Sequence, residues 1–183
     1  MAEPAVAKKK YTYQDYLKTP DGERYELIQG DLVRLTSPNT AHQRISGELL
    51  FRLVGFSEKN DVGEFFHAPC DVYFDEENVL QPDIFFISKA RTSIIGEANI
   101  QGAPDLVVEI AAESTAYRDT IQKKMLYARF GVKEYWIVAP REKFIEVYVL
   151  KNKEYALVKT YFYDDALESQ VLKGFRVSLK EIF

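Results

Sequence analysis

A strand–helix–strand pattern between residues 104 and 138 constrains the fold more than any other feature of the chain. Residues 106–111 are almost continuously apolar, which is typical of a strand at the centre of a sheet covered on both faces. A helix follows up to Phe130, where Gly131 is placed to end it, and residues 134–138 form the next strand. Because strands joined by a helical crossover run parallel, we expect a sheet that contains at least one parallel pair.

Smaller elements surround this unit, and together they predict an α/β (α+β) fold of one domain at residues 11–183, behind a flexible tail at residues 1–10. The predicted helices are 12–16, one from 37–40 to about Ser57, one from an N-cap at Ser114 or Thr115 to Phe130, and 178–183, with Ser178 and Glu181 as a capping box. The predicted strands are 25–28 and 31–35 as a hairpin, then 64–74, 83–87, 106–111, 134–138, 145–150 and 155–163, with a polar loop at 89–103.

Composition limits the kind of site that the chain can build. Cys70 is the only cysteine, so an intramolecular disulfide and a cysteine-based zinc site are excluded, and the presence of two histidines argues against a histidine-rich metal site. The remaining metal ligands are oxygens, which favour Mg²⁺ or Mn²⁺. Cysteine usage fits a cytoplasmic location. We expect neither a signal peptide nor a membrane span, because no apolar run approaches about 18 residues.

The overall charge argues mildly against one class of function. The chain carries 28 acidic and 24 basic residues, a formal net charge of −4. This balance disfavours tight, non-specific binding of nucleic acid, although the local field at a site can still be positive.

Two carboxylates stand in apolar segments where a charge is costly. Asp83 begins a short apolar strand after Pro82, and Glu109 lies inside the strand 106–111 on the same face as Val107 and Ala111. A buried carboxylate normally acquires a partner or shifts its pKa. Two interpretations are therefore open at each position. Glu109 forms either a buried salt bridge or a metal site, and Asp83 either caps a turn or binds the same metal.

Lys123 is the cation that we expect to meet these acids. It has Leu126, Tyr127 and Phe130 at i+3, i+4 and i+7, so it lies on the packed face of its helix. Lys124, about 100° round the helix, is the second candidate. The alternative is a lysine whose stem is buried and whose ammonium group reaches water. Two acids and a lysine on a rigid frame can bind a divalent metal and orient a water for phosphodiester hydrolysis.

Three further polar residues are weaker candidates. Asp105 follows Pro104 and shares a strand face with Glu109, which suits a turn residue or an accessory ligand. His42 shares a helix face with apolar residues, where a structural histidine is commoner than a catalytic one. Glu26 lies in a strand whose alternation is compatible with a solvent-facing side chain.

An ordered set of segments resembles the Uma2 family, also called DUF820, of restriction-endonuclease-like proteins. The segments are Tyr25–Leu32, Ser37-Pro38 with His42, Gln81–Ile84, Pro104–Ile110, Lys123–Tyr127 and Gly131–Val138. The resemblance implies the fold of the PD-(D/E)XK nuclease superfamily, a mixed central sheet flanked by helices with the active site at one edge of the sheet.

The resemblance also implies roles for individual residues. Asp83 and Glu109 match the two metal-binding acids, and the backbone carbonyl of Ile110 would complete their hold on Mg²⁺ or Mn²⁺. The lysine of the superfamily motif should stand at position 111, where this chain has Ala111. In this family that lysine lies on the following helix, where Lys123 matches it. Glu26 and His42 also match family positions: Glu26 could extend the acid cluster or hold a second metal, and His42 could contact phosphate.

Three functions remain open from the sequence. The first is a metal-dependent DNA endonuclease, acting as a homodimer because cutting both strands usually needs two sites, with the aromatic strands 145–150 and 155–163 as a dimer edge. The second is a catalytically inactive nucleic-acid-binding or regulatory protein on a nuclease scaffold. The third is a small interaction domain in which Glu109 and Lys123 form a purely structural ion pair.

Overall fold

The computed structural model describes residues 10–111 and 116–183. The helices are α1 (Tyr13–Tyr16), α2 (Thr40–Asn60) and α3 (Ala116–Phe130), with 3₁₀ turns at Lys89–Ile94 and Leu179–Glu181. The strands are β1 (Tyr25–Ile28), β2 (Asp31–Arg34), β3 (Gly63–His67), β4 (Val72–Asp75), β5 (Asn78–Leu80), β6 (Ile84–Ser88), β7 (Ile100–Gln101), β8 (Leu106–Ile110), β9 (Glu134–Ala139), β10 (Phe144–Lys151), β11 (Glu154–Phe162), β12 (Ala166–Glu168) and β13 (Arg176–Ser178). Residues 1–9 of the tail predicted at residues 1–10 and the predicted N-cap at Ser114 or Thr115 lie outside the described residues. The single domain over 11–183 stays a prediction.

The central sheet has six strands in the order β11-β10-β9-β8-β6-β3. β8 and β9 pair in parallel, which confirms the predicted crossover, and the other neighbours are antiparallel. A second sheet, in the order β2-β1-β5-β4-β7, lies beside it and contains the predicted hairpin β1–β2. These mixed sheets with flanking helices confirm the predicted α+β fold class.

Alternation along β8 divides the core between the two faces of the central sheet. Leu106, Val108 and Ile110 share a core cluster with the apolar side of α2, whereas Val107 belongs to the cluster that includes Leu126 and Tyr127 of α3. Each fully buried side chain of this size stabilises the fold by roughly 1.5–3 kcal/mol. Both faces of β8 are therefore covered, and a polar side chain on this strand must find its partners inside the protein.

The hairpin brings the first acidic strand to the central sheet. Its turn uses Gln29 and Gly30 with φ of 51° and 76°, the conformation of the two-residue turn that suits a right-handed hairpin. β1 then pairs with β5 through Leu27 and Val79. Since β5 leads directly into the segment before β6, this pairing carries Glu26 to the edge where β6 and β8 meet.

Three sequence predictions about the elements were wrong. The strand predicted at 64–74 is two strands in different sheets, because the chain turns at Pro69, which has no backbone N–H to donate to a ladder. The loop predicted at 89–103 contains a 3₁₀ turn and the short strand β7. The terminal helix is only the 3₁₀ turn Leu179–Glu181, without a side-chain cap from Ser178, and the pair β12–β13 was not predicted.

No helix within the described ranges is long and apolar enough to cross a membrane.

Candidate active site

A cleft of about 410 Å³ opens where β1, the start of α2, the ends of β6 and β8, and α3 come together. Its polar lining includes most of the residues that the sequence singled out: Glu26, His42, Asp83, Glu109, Ile110 and Lys123. Arg24 and Gln81 line it as well. Residues that are up to 99 positions apart in the chain therefore share one concave surface.

Sheet register explains why the two acids meet. Ile84 of β6 pairs with Val108 of β8 in an antiparallel ladder, and one further step along that register sets Asp83 across from Glu109. Directly opposed residues in such a pair point to the same face of the sheet. Asp83 and Glu109 are therefore neighbours because of backbone pairing, and Asp83 contributes to raising the pKa of Glu109 by its charge.

Glu109 is held inside the protein by two donors. The Tyr127 hydroxyl donates to Oε1 at 2.6 Å, and the Lys123 ammonium donates to the same oxygen at 3.1 Å. Burial raises the pKa of Glu109 to about 7, against the opposing effect of the Lys123 charge and with a further increase from Asp83 and Glu26. The pKa of this carboxyl is therefore raised well above that of an exposed glutamate.

Lys123 reaches back from α3 into the space beside Glu109, as predicted. Its Nζ lies 3.1 Å from Glu109 Oε1 and 2.7 Å from Glu26 Oε1, and only 9% of the residue is exposed. The alternative of a solvated ammonium group is therefore wrong. Burial lowers the pKa of Lys123, but the charges of Glu109 and Glu26 outweigh it and raise the pKa above its usual value, so the side chain stays cationic.

Lys124 does not enter the cleft. Its Nζ lies 3.3 Å from the centroid of the Tyr148 ring, a cation–π contact on the other side of the helix. Burial lowers the pKa of Lys124. Of the two adjacent lysines, the structure brings only Lys123 to the acids.

Asp83 and His42 form a second polar pair at the cleft. Asp83 Oδ2 accepts a hydrogen bond from the Ile110 backbone N–H at 2.8 Å and lies 3.1 Å from His42 Nε2. The predicted turn cap is thus replaced by a bond to the neighbouring strand. Burial lowers the pKa of His42, but the hydrogen bond and charge of Asp83, with Glu109 beyond, raise it overall. His42 Nδ1 is buried and has no hydrogen-bond partner among the described residues.

The structure differs most from the sequence-based expectation at Glu26, for which strand alternation was compatible with a solvent-facing side chain. It is 1% exposed, and its Oε1 accepts from Lys123 Nζ and from the Gln81 backbone N–H at 2.9 Å. The pairing of β1 with β5 sets this strand beside Gln81, and the face that Glu26 shares with Ile28 is turned toward Lys123 and the core on α3. Glu26 therefore extends the acid cluster and shares Lys123 with Glu109.

Asp105 is not part of the site. It lies at the other end of β8, about 13 Å from Glu109 at roughly 3.3 Å per residue. Its carboxylate accepts from the Ser88 N–H at 2.8 Å and forms ion pairs with Lys133 at 2.6 Å and Arg91 at 3.2 Å. Of the two sequence interpretations of Asp105, the structure supports the first, a residue in the turn that leads into the strand. Its position excludes a role as an accessory ligand of this cleft.

Arg24, Gln81 and Tyr127 are polar residues of the site that sequence reasoning missed. Arg24 and Gln81 line the cleft and are joined by a 2.9 Å hydrogen bond from Arg24 Nε to Gln81 Oε1. Arg24 lies in no periodic pattern or motif, and Gln81 entered the sequence analysis only as part of the segment Gln81–Ile84, with no role of its own. Tyr127 was considered only as an apolar neighbour of Lys123, and its i+4 spacing was the available signal that both side chains face Glu109.

The donor set of the cleft suits a hard divalent cation. Every described side-chain contact of Asp83 falls on Oδ2 and every one of Glu109 falls on Oε1. The other oxygen of each carboxylate, Asp83 Oδ1 and Glu109 Oε2, accepts no hydrogen bond from a described residue. Over 10–111 and 116–183, no three His, Cys, Asp or Glu side chains converge as a metal-binding group. Two carboxylates, a backbone carbonyl and retained waters form the kind of partial oxygen shell with which Mg²⁺ is commonly bound.

Comparison with known proteins gives a consistent result. Residues 12–180 match the model of a family described as "Uma2: Putative restriction endonuclease". Among solved structures, the chain is similar to the crystal structure of a putative nuclease belonging to DUF820 from Anabaena variabilis, with a TM-score of 0.78, 19% sequence identity, and 94% of this chain and 97% of that chain covered. At this identity the likeness shows the fold. No curated protein sequence matches the chain.

Proposed function

Since the chain belongs to the Uma2 family of putative restriction endonucleases, we propose that it is a metal-dependent DNA endonuclease that hydrolyses phosphodiester bonds. The observation that carries this proposal is the position of the Lys123 ammonium, which is paired with two buried carboxylates, Glu26 and Glu109, in a cleft that Asp83 also lines. Charged groups of both signs are held there by a rigid sheet and helix, as electrostatic catalysis requires.

In this proposal Asp83, Glu109 and the Ile110 backbone carbonyl hold Mg²⁺ or Mn²⁺. The ion, when bound, lowers the pKa of a water and stabilises charge on the phosphoryl oxygens. The Ile110 N–H fixes Asp83 from behind, and Tyr127 fixes Glu109, so neither carboxylate has to reorganise. Glu26 lies on the far side of Lys123, which supports a role in placing that ammonium group.

Lys123 acts as a charged donor rather than as a base. Its raised pKa keeps three N–H donors on Nζ at neutral pH, and two of them are directed at Glu26 and Glu109. The third can orient a water or a phosphate oxygen. A proton released by an attacking water must therefore be accepted by a group other than Lys123 or by solvent.

We also propose that the enzyme works on duplex DNA in the cytoplasm as a homodimer. β11 is the outer strand of the central sheet, and Leu157, Val158 and Phe162 on it are between 43% and 59% exposed. An outer strand with exposed apolar side chains readily pairs with another chain. In sedimentation experiments, Val158→Lys should shift a dimer toward the monomer, whereas Phe51→Lys, at an exposed apolar residue of α2, should not.

A plasmid assay tests the nuclease proposal. Supercoiled DNA with Mg²⁺ or Mn²⁺ should be nicked or linearised by the wild-type protein, and Asp83→Ala and Lys123→Ala should each abolish cleavage. Lys124→Ala is the matched control, since it removes a neighbouring lysine that lies outside the cleft. Cleavage that survives both site substitutions would refute the assignment.

An inactive nucleic-acid-binding or regulatory scaffold is the second candidate. It is favoured by the same ion pairs, because the Lys123 ammonium already compensates Glu26 and Glu109 as a structural bridge would. Calorimetry separates the two functions. Mn²⁺ binding that is lost in Asp83→Asn supports the nuclease, whereas a protein that binds duplex DNA but neither binds Mn²⁺ nor nicks plasmid is the scaffold.

A further inference from the structure

Arg24 lines the cleft and differs from the other cations there in its partners. Of the Lys, Arg and His residues that line the cleft in the described structure, Lys123 is paired with two carboxylates and His42 with Asp83. Arg24 forms no ion pair with any described residue, and its hydrogen-bond acceptor is a neutral amide, Gln81 Oε1. Among the described residues, the Arg24 guanidinium is therefore the one cation lining the cleft that has no acidic partner.

A chain of hydrogen bonds fixes this guanidinium. Gln81 Nε2 donates to Asp71 Oδ1 at 2.9 Å, which sets the orientation of the amide and turns its oxygen toward Arg24. The Tyr16 hydroxyl donates to the same Asp71 oxygen at 2.8 Å. Because only Nε of Arg24 is used, the terminal Nη1 and Nη2 groups have no described partner. Such a held fork matches the bidentate geometry of phosphate.

Arg24 is also close enough for its charge to act on the pair formed by Asp83 and His42. Its charge acts to lower the pKa of His42, which lies against Asp83. A DNA backbone that approaches this cleft meets three carboxylates, and the chain as a whole carries a net charge of −4. An uncompensated cation at the same surface offsets the repulsion, since phosphate contacts supply much of the affinity of proteins for DNA.

We propose that the Arg24 guanidinium binds a phosphodiester group of the DNA strand that enters the cleft, through Nη1 and Nη2, while Gln81 holds it in place through Nε. This assignment rests on the proposed function, because it takes the ligand of the cleft to be DNA. It makes Arg24 a substrate-binding residue and Gln81, with Asp71 and Tyr16 behind it, a positioning residue.

Fluorescence anisotropy with a labelled DNA duplex tests the proposal on the full 183-residue chain in EDTA, where cleavage does not interfere. Arg24→Gln should raise Kd by about 10- to 100-fold, as expected for loss of a charged hydrogen bond. The slope of log Kd against log salt should fall by about 0.9, which corresponds to one phosphate contact. Arg24→Lys should keep the salt slope but lose part of the affinity, because lysine has no fork.

Arg34→Gln is the matched control. Arg34 lies on the paired strand β2 in a surface ion pair with Glu23 and outside the cleft, so its removal should change Kd by less than about twofold. An Arg24→Gln Kd within about twofold of wild type overturns the proposal. So does a loss of affinity with an unchanged salt slope, or a wild-type protein that binds no duplex at low salt.

The same variants separate this proposal from the nuclease proposal. If Arg24→Gln weakens duplex binding as expected but the wild-type protein nicks no plasmid, Arg24 is a phosphate ligand and the nuclease assignment fails. If the wild-type protein nicks plasmid and Arg24→Gln binds and cleaves with unchanged Kd and KM, the nuclease assignment stands and the role of Arg24 is wrong.

Discussion

Replacing Lys123 with methionine removes the one ammonium group that lies between two buried carboxylates. Glu26 and Glu109 are 1% and 8% exposed, and both accept from Nζ, at 2.7 and 3.1 Å. Methionine preserves most of the buried stem, so the change is chiefly one of charge. Breaking a buried ion pair from one side typically costs 3–5 kcal/mol, and we expect Lys123→Met to lose about that much unfolding free energy at pH 7.

The pH dependence of this loss identifies its cause. The pKa of Glu109 in the folded wild type, about 7, is above that of an unfolded glutamate, so its burial destabilises the fold progressively from about pH 4.5 to pH 7 and no further. The Lys123 charge is what keeps the folded pKa from rising higher. Without it, Glu109 stays protonated above pH 7, and the penalty continues to grow by about 1.4 kcal/mol per pH unit.

Urea unfolding of wild type and Lys123→Met between pH 6 and pH 9 measures both quantities. The difference in unfolding free energy should be about 3–5 kcal/mol at pH 7 and should widen by up to about 2.7 kcal/mol by pH 9. Lys124→Met is the control, with a loss under about 1 kcal/mol and no comparable trend. A difference under about 1 kcal/mol, or one that is flat between pH 7 and pH 9, would show that Lys123 does not neutralise Glu109.

Four other substitutions test separate parts of the structure. Glu109→Gln keeps an acceptor for both of its donors and removes a negative charge from the acid cluster, so thermal stability should be unchanged or higher while calorimetry shows Mn²⁺ affinity reduced by more than about tenfold. Glu134→Ala should cost at least about 3 kcal/mol in chemical denaturation, because this buried carboxylate accepts from four donors, three of them in the segment 169–171, and all four would lose their acceptor. Gly63→Ala should destabilise strongly, since a Cβ would lie 2.2 Å from a backbone oxygen at φ +152°, whereas Gly47→Ala on α2, with open space around it, should raise the unfolding free energy by about 1 kcal/mol.

The elements that sequence predicted well are those whose signals are local. The parallel pair β8–β9 and the helix between them follow from an apolar run, a helical period and Gly131, all within 35 residues of one another. The hairpin β1–β2 follows from the two turn residues alone. Periodicity also gave the face of Glu109, because alternation in a strand does not depend on which strands lie beside it.

The elements and contacts that were missed depend on pairing between distant segments. Burial of Glu26 requires that β1 pair with β5, and no pattern within residues 25–28 specifies that partner. The division of 64–74 between two sheets depends likewise on β3 choosing β6 and β4 choosing β5. Asp83 and Asp105 have the same Pro-Asp context in the sequence. The register of β6 against β8 places Asp83 in the cleft, whereas Asp105 lies at the other end of β8 in an ion pair with Lys133.

The chain has Ala111 at the position where the resemblance implies a lysine, and the structure brings Lys123 to Glu109 from α3 instead. Ala111 lines the cleft, and its short side chain leaves the volume beside Glu109 to be filled from elsewhere. A buried Glu109 requires a cation within about 4 Å, but nothing in that requirement specifies the element from which the cation comes. α3 packs on the same face of β8, and Lys123 is the position on it whose Nζ reaches both Glu109 and Glu26. A search that required a lysine two residues after Glu109 would reject this chain. A search for any cation near the Glu109 carboxylate finds Lys123. What such a site constrains is therefore the position of the positive charge. A variant that combines Ala111→Lys with the removal of Lys123 should preserve the charge balance of the cleft only if Glu26 is also replaced by an uncharged residue.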